Sequence, residues 1–441
     1  MKNSVLLTFL GTGNYQASIY RIGDFLSEEE TYFSAALASH LKPDQVFSLE
    51  TPEANEKHGT LLHDRFSQLN LEHRGIPTPN GSSEVELWEL FSILTANIPE
   101  GCTLHLDITH GFRSQPVLGF IALNFLRVTR GITIGGIHYG AWEARDEHGI
   151  TPAFDLTPFL TLLDWTAAAD QFKATGSADR IAGLLKETQQ SLWQNMGHGG
   201  REGLPKLLAT LGTTINHAAN NLTLLRTGNF NNSAESVAKQ LQRIQETPEL
   251  ENHALPFLEL LEPVRKDLTR FGCNDLSDLR DLIVWLVEKN RPDSALTLAS
   301  EWLISWVMVT LGHPQHHVAE ELRRPFSDCL NLWIDRASGG NSIHSPSPES
   351  EVHLAKLKEC ASEETLKQLA GISSKIKETR NDLNHAGFRK NPRQADAIIK
   401  LAGEIAGELI KLPVPAPAMT APLINYPDIP GHPYARFRPE C

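Results

Sequence analysis

The sequence predicts a doubly wound α/β domain followed by a mostly α-helical region, and three observations carry that prediction. Residues 1–156 alternate short apolar runs with helix-spaced stretches, strand and helix in turn. From Pro158 to about Ile410 nearly everything has helical spacing. At 441 residues the chain is too long for one ordinary domain, so two or three are expected.

The elements follow in order. Val5–Leu10 is a continuous apolar run, as expected of a strand buried on both faces of a parallel sheet. A helix over Thr31–Leu41 comes next, then a strand at Gln45–Leu49, a helix at Gly59–Leu69 and a short strand near Leu71–Ile76. The turn-rich segment Pro77–Ser83 leads into a helix through Asn97, with Ser83 and Glu86 spaced for a capping box. Thr103–Thr109 reads as a strand, Gln115–Val128 as a helix and Ile132–Tyr139 as a strand. In the helical region Ala295, Ala299, Trp302 and Trp306 share one stripe, flanked by Leu296, Leu303 and Val307, so these tryptophans read as core. Gly197–Gly203 and Asn229–Ser233 read as helix breaks, and Ser338–Ser350 as an exposed loop. The tail from Pro413 is rich in proline and poor in periodicity, as in a surface-wrapping or partly disordered segment.

Composition narrows the function classes. The chain is 41% hydrophobic and 21% charged, and no apolar run reaches the ~18 residues that a membrane helix needs. Val5 to Leu10 is too short for a signal-peptide core. The five cysteines are scattered without a C-x-x-C pair, implying neither a disulfide framework nor a zinc site, which fits the reducing cytoplasm. A net charge of −13 excludes coating nucleic acid through bulk electrostatics. Locally the balance reverses between Lys375 and Arg393, where Lys375, Lys377, Arg380, Arg389, Lys390 and Arg393 face only Glu378 and Asp382. A solvated helix face would look the same.

Two strand ends carry ligand-binding residues. Strand one runs into Gly11, Thr12, Gly13, Asn14 and Tyr15, where glycines let backbone N–H groups approach a phosphate. A lone G-x-G is weak, because tight turns use glycine for their own sake. A dinucleotide fold would want a third glycine where Gln16 stands and an acid about 20 residues on; Glu50 lies much further away. In Thr103–Thr109, His105, Asp107 and Thr109 alternate with Leu104, Leu106 and Ile108. Asp107 to Arg113 then sit at a strand's carboxyl end, where open α/β sheets bind ligands. Thr109 and His110 offer hydrogen bonds, Gly111 backbone access, Arg113 a permanent charge, and the helix at Gln115 its positive end. The plainer alternative has Asp107 capping that helix and His110 incidental. His138, Tyr139 and Trp142 are placed to flank the same pocket.

The string Arg380-Asn381-Asp382-Leu383-Asn384-His385 carries different chemistry. Cleaving RNA with its own 2′-hydroxyl requires proton transfers and stabilisation of charge on phosphorus. A histidine titrates near neutrality, and an arginine holds phosphate in a planar fork. On a regular helix, residues five apart point about 140° from each other. Gly387 offers a helix end that leaves His385 in an irregular last turn, and a second chain offers completion across a two-fold axis. Asn381 and Asn384 are candidates for positioning. By itself R-x4-H arises often by chance.

Together these motifs resemble the CRISPR-associated DxTHG family of CARF–HEPN ribonucleases from type III systems. Asp107-Ile108-Thr109-His110-Gly111 fits the naming motif in full, Gly11–Tyr15 looks like the family's first-strand loop, and Arg380…His385 matches its R-x4-6-H signature. Leu162-Leu163-Asp164-Trp165 through Phe172 looks like the family's passage out of the first domain. The resemblance implies a Rossmann-like CARF sensor over 1–157, a helical intermediate region over 158–290, a HEPN ribonuclease domain over 291–412 and a tail over 413–441. It implies a dimer or higher homo-oligomer whose sensor cleft binds a cyclic oligoadenylate, a tetra- or hexa-adenylate ring being expected. Paired Arg380 and His385 would then cut single-stranded RNA without metal, leaving a 2′,3′-cyclic phosphate, as part of antiviral defence. Three rival readings remain at this stage. The chain regulates or binds without cleaving, its sensor hydrolyses its own activator through Thr12, Thr109 and His110, or His313, His316 and His317 hold a metal.

Overall fold

In the computed structural model, residues 3–195, 206–271, 275–313, 320–337, 348–388 and 390–415 are described. The chain divides into two compact units, Met1–Leu162 and Leu163–Cys441.

The first unit is an α/β sheet domain. Its strands are β1 (Ser4–Leu10), β2 (Ser18–Ile22), β3 (Phe25–Glu30), β4 (Gln45–Glu50), β5 (Glu72–Pro77), β6 (Thr103–Asp107), β7 (Thr133–Gly140) and β8 (Ile150–Asp155). They pair in the order β3-β2-β8-β7-β6-β1-β4-β5. β5, β4, β1, β6 and β7 form a parallel core, and β8 joins β7 antiparallel. The sequence reading missed β2, β3 and β8. They are short and lie toward one edge, and β2 buries only Ser18, Tyr20 and Ile22, too few positions to stand out as a run.

Helices cover both faces: α1 (Phe33–Leu41), the short α2 (Pro52–Ala54), α3 (Thr60–Gln68), α4 (Glu84–Asn97) and α5 (Ser114–Thr129). A π-helical turn, Asn55–Gly59, joins α2 to α3. The mostly apolar, doubly buried character of β1 has a simple cause. Val5, Leu7 and Phe9 pack with Leu90 and Leu94 of α4 and Leu123 and Leu126 of α5, while Leu6 and Leu10 pack with Phe33 and Leu37 of α1 and Leu62 and Phe66 of α3. The expected cap of α4 forms with a shift: Ser83 Oγ accepts from Glu86 N at 3.2 Å, but Glu86 returns to Ser82 N.

The second unit is mostly helical. Its helices are α6 (Thr157–Thr175, which begins in the first unit), α7 (Asp179–Asn195), α8 (Leu207–Thr223), α9 (Phe230–Gln245), α10 (Pro248–Thr269), α11 (Leu276–Glu288), α12 (Pro292–Thr310), α13 (Glu320–Ala337), α14 (Pro348–Cys360), α15 (Glu363–Asn384) and α16 (Ala395–Lys411). One apolar core runs through it from Trp165 to Leu412. Trp302 and Trp306 are buried in it as expected, and their indole N–H groups are satisfied by Leu276 O and Pro413 O. The break expected at Asn229–Ser233 is displaced: the chain turns at 224–229, and Asn231, Asn232 and Ser233 lie within α9. Local propensity yields there to the burial of Phe230, Ala234 and Val237 on one stripe. The expected break at Gly197–Gly203, most of the Ser338–Ser350 loop, and the tail beyond 415 lie outside the described residues. Among the described residues, no helix is long and apolar enough to cross a membrane.

Candidate functional sites

The strand order reverses between β1 and β6, the point where open α/β sheets leave a crevice beyond their carboxyl ends. Both upstream motifs leave the sheet there. Their backbones nearly touch: a Cβ built on Gly11 would stand 3.0 Å from Gly111 N and from the Tyr15 hydroxyl oxygen. Gly111 has φ +104, and a side chain on it would strike Gln115 Oε1 and Phe9. Glycine is demanded at 111, and at 11 the close approach leaves a side chain little room.

Asp107 is fully buried and works as an internal brace. Its Oδ2 accepts from the Thr8 hydroxyl at 2.7 Å and its Oδ1 from Thr109 N at 2.8 Å, tying the turn to β1. Thr109 Oγ1 accepts from Gly140 N at 2.8 Å, joining the turn to β7 as well. Tyr15 folds back so that its hydroxyl accepts the Gly11 N–H at 2.8 Å, which removes one donor expected to face a phosphate. Its ring stands 4.4 Å from His110 and 4.6 Å from His58. Burial lowers the His110 pKa below the usual histidine value, favouring the neutral ring.

The exposed part of this site is the rim. Gly13, Asn14, Gly111 and Arg113 face solvent, and Thr12 is half-buried. Lys57 Nζ donates to Thr12 O at 2.8 Å and Asn14 Oδ1 at 2.9 Å, while His58 Nε2 pairs with Gly13 O and His58 Nδ1 with the Tyr32 hydroxyl. Sequence reasoning missed Lys57, His58 and Tyr32. Lys57 and His58 sit in the π turn, where one extra residue per turn re-aims side chains and for which no local signal stood out. Glu50 is buried, accepts from Ser48 and packs against Gly75.

Of the three residues thought to flank the site, His138 stacks on His105, Tyr139 donates to Glu143, and Trp142 carries the Arg145 guanidinium 3.6 Å above its ring. Each has a local partner.

The downstream residues lie at the end of α15. Ser362 caps its start, accepting from Thr365 N at 3.2 Å. The helix stops at Asn384, with His385 as the exposed C-cap. Ala386 and Gly387 then turn left-handed at φ 49 and 75, and Gly387 N donates to Asp382 O at 3.2 Å. Asp382 is buried, and its Oδ2 accepts from Arg393 N at 2.7 Å, pinning the following loop.

Arg380 is half-buried on another side of the helix. Its Nη1 donates to Ser300 Oγ at 2.7 Å, its buried Nε has no partner, and among the described residues no carboxylate pairs with it. It opens into a concavity of about 260 Å³ where α12, α13 and α15 meet. Asn381 and Asn384 line the same concavity and His385 does not. The irregular turn that Gly387 supplies comes after His385, too late to swing it beside Arg380. Within one chain, therefore, three of the four downstream candidates are gathered and the histidine stands apart. Ser300 was not foreseen, since it lies 80 residues away on a helix that reads as core. Arg389, His316 and His317 lie outside the described residues, and among those described no group of three or more His, Cys, Asp or Glu is placed to hold a metal.

Residues 161–277 match the family model described as CRISPR-associated protein MJ1674, second domain. The chain is also 30% identical over 119 residues to the CRISPR-associated protein MJ1674 of Methanocaldococcus jannaschii, a stretch covering 26% of this chain and 19% of that protein. The chain thus spans about a fifth of the length of this curated relative. The family match falls on the helices following the sheet domain, and neither candidate site lies within it.

Proposed function

We propose that this chain is an endoribonuclease of type III CRISPR antiviral defence, cutting single-stranded RNA when a cyclic oligoadenylate occupies its α/β domain. The observation that carries the reading is Arg380, uncompensated by any described carboxylate, in a groove of hydroxyls and amides, with His385 exposed at the end of the same helix. An arginine without a counter-charge in a chain of net charge −13 is a site for an anion.

In this reading the 2′-oxygen attacks phosphorus, the bond to the 5′-oxygen breaks, and a 2′,3′-cyclic phosphate remains. His385 transfers protons, Arg380 holds the charge that builds on the phosphoryl oxygens, and Asn381 and Asn384 orient the phosphate. These groups supply acid–base catalysis and charge, so the step calls for no metal. Because His385 lies off the Arg380 groove, the reading has the two meet across a two-fold axis in a HEPN-type pair. An exposed apolar stripe supports pairing: Val117, Ile121, Phe125 and Val128 of α5 are between 47% and 79% exposed, beside Trp88 of α4.

The activator's phosphates fit the rim that carries Lys57 and Arg113, next to the glycines at 11, 13 and 111. Activation requires that the ring bind the competent arrangement better than the idle one. The similarity of residues 161–277 to a CRISPR-associated protein is consistent with this setting. The test is to incubate purified protein with single-stranded RNA, EDTA and rings of three, four or six adenylates. Cleavage with cyclic-phosphate ends, lost in Arg380→Ala and His385→Ala, is expected. RNA that stays intact with every ring leaves a nucleotide-responsive binding protein instead.

A further inference from the structure

The groove beside Arg380 is larger than one phosphate contact needs, and its far wall comes from helices that the cleavage motif does not include. Resting on the nuclease reading above, we propose that this groove holds the ribose–phosphate backbone of the nucleotide next to the cleaved bond, with Lys377 and Asn331 as positioning residues.

Three features support this. The first is charge: Lys377 and Arg380, one helical turn apart on α15, face the groove, and among the described residues no carboxylate lines it. The second is the wall opposite, where Ser327 and Asn331 of α13 join Ser300 of α12 and Ser373 of α15. Hydroxyls and amides can both donate to phosphoryl oxygens and accept from a ribose hydroxyl, whereas lysine and arginine only donate. The third is size and lining. About 260 Å³ falls just below the roughly 300 Å³ where drug-sized ligands begin, which suits a single nucleotide unit. Among the described residues no aromatic side chain lines the groove, so they offer no platform for stacking a base. Among the described residues its apolar wall is Ile304 and Leu330. Contacts of this kind fix register along a strand without reading its sequence.

The experiment uses the full chain with cyclic tetra- or hexa-adenylate and three homopolymeric RNAs of uridine, adenosine and cytidine. Lys377 and Asn331 are exposed, so Lys377→Ala and Asn331→Ala leave the melting temperature unchanged. Lys377→Ala raises KM about fivefold on all three RNAs with kcat nearly constant, and lowers the slope of log affinity against log salt by roughly 0.7. Lys377→Arg restores most of the loss. Asn331→Ala weakens RNA binding severalfold and narrows the preference for ribose over deoxyribose next to the cut. Lys367→Ala, a surface control on α15 paired with Glu363, changes nothing. Binding of uncleaved RNA to the His385→Ala background, followed by fluorescence anisotropy, gives a readout apart from turnover. If the parent cleaves but Lys377→Ala and Asn331→Ala keep its KM and its RNA affinity, the groove proposal falls and the nuclease reading stands. A loss confined to one base overturns it too, because the groove would then read sequence. If no RNA is cut yet Lys377→Ala still lowers RNA affinity, the nuclease reading falls and the groove remains a backbone site.

Discussion

Arg380 reaches across to α12 and donates to the Ser300 hydroxyl at 2.7 Å, its one hydrogen bond among the described residues. That bond aims the guanidinium into the groove, and it leads to the first prediction. Arg380→Ala lowers single-turnover cleavage by about 10²–10³, the loss of one charge-stabilising donor set. It leaves the melting temperature level or slightly raised, since among the described residues no buried acid loses its partner. Ser300→Ala costs about tenfold in rate, in the range of a hydrogen bond to a charged group. A melting temperature several degrees lower in Arg380→Ala would make this arginine structural.

Asp107 holds two donors from the inside of the sheet, so its removal is a stability event before it is a binding one. Asp107→Ala costs about 1–3 kcal/mol, because the Thr8 hydroxyl and Thr109 N–H are left unpaired. Asp107→Asn keeps an acceptor for Thr109 N and offers its amide to Thr8, and costs far less. Urea unfolding of both variants checks this; equal losses would show that charge rather than hydrogen bonding is what the turn uses.

Gly111→Ala meets two obstacles at once, a φ of +104 and a Cβ within 2.4 Å of Gln115 Oε1. It destabilises by about 1–3 kcal/mol and abolishes activator binding by pushing the turn off β1. Calorimetric titration with the adenylate rings reads the second effect directly. Unchanged ring affinity in Gly111→Ala would move the ligand site elsewhere.

Burial lowers the pKa of His105 and of His73 to about 4, with the neighbouring His138 and His63 adding to the effect. Unfolded histidines titrate near 6.5, so the unfolded chain takes up protons that the folded chain refuses. Stability is therefore complete above about pH 6.5, falls as pH drops toward 4, and levels off below. The two half-buried rings together account for roughly 1–2 kcal/mol after solvent screening. Urea midpoints across this range, compared with His105→Asn, measure it; a variant profile as steep as the parent's would remove His105 from the account.

Phe125 lies within the exposed stripe on α5 and stacks edge-on against Phe91 at 5.4 Å. Phe125→Glu puts a charge into that face, and light scattering is expected to show a shift from dimer to monomer. Ring-dependent cleavage falls with it, because the proposed site is shared between copies. A variant that remains dimeric leaves this stripe with no part in pairing.

Several features were legible in sequence because their causes are local or periodic. The mostly apolar β1 reads as doubly buried, and packs on both faces. The tryptophan stripe reads as core, and its indoles are satisfied there. Asp107 was legible as a residue at a strand end, but its hydrogen bond to Thr8, 99 residues away, was not. Lys57 and Ser300 were invisible for the same reason, since each acts on a partner at least 43 residues distant.

From its sequence alone the chain declares an α/β sheet domain, then helices, with two glycine turns at strand ends and an arginine–histidine string near a helix end. Burial periodicity and turn chemistry act over a few residues, so one strand of text contains them. Only the tertiary structure decided that the two glycine turns meet at the β1–β6 switch point, that Asp107 braces its turn against β1, and that Arg380 faces a groove which His385 does not enter. Those outcomes depend on which distant segments pack together, and a hydrogen bond or a steric contact between them has no local signature.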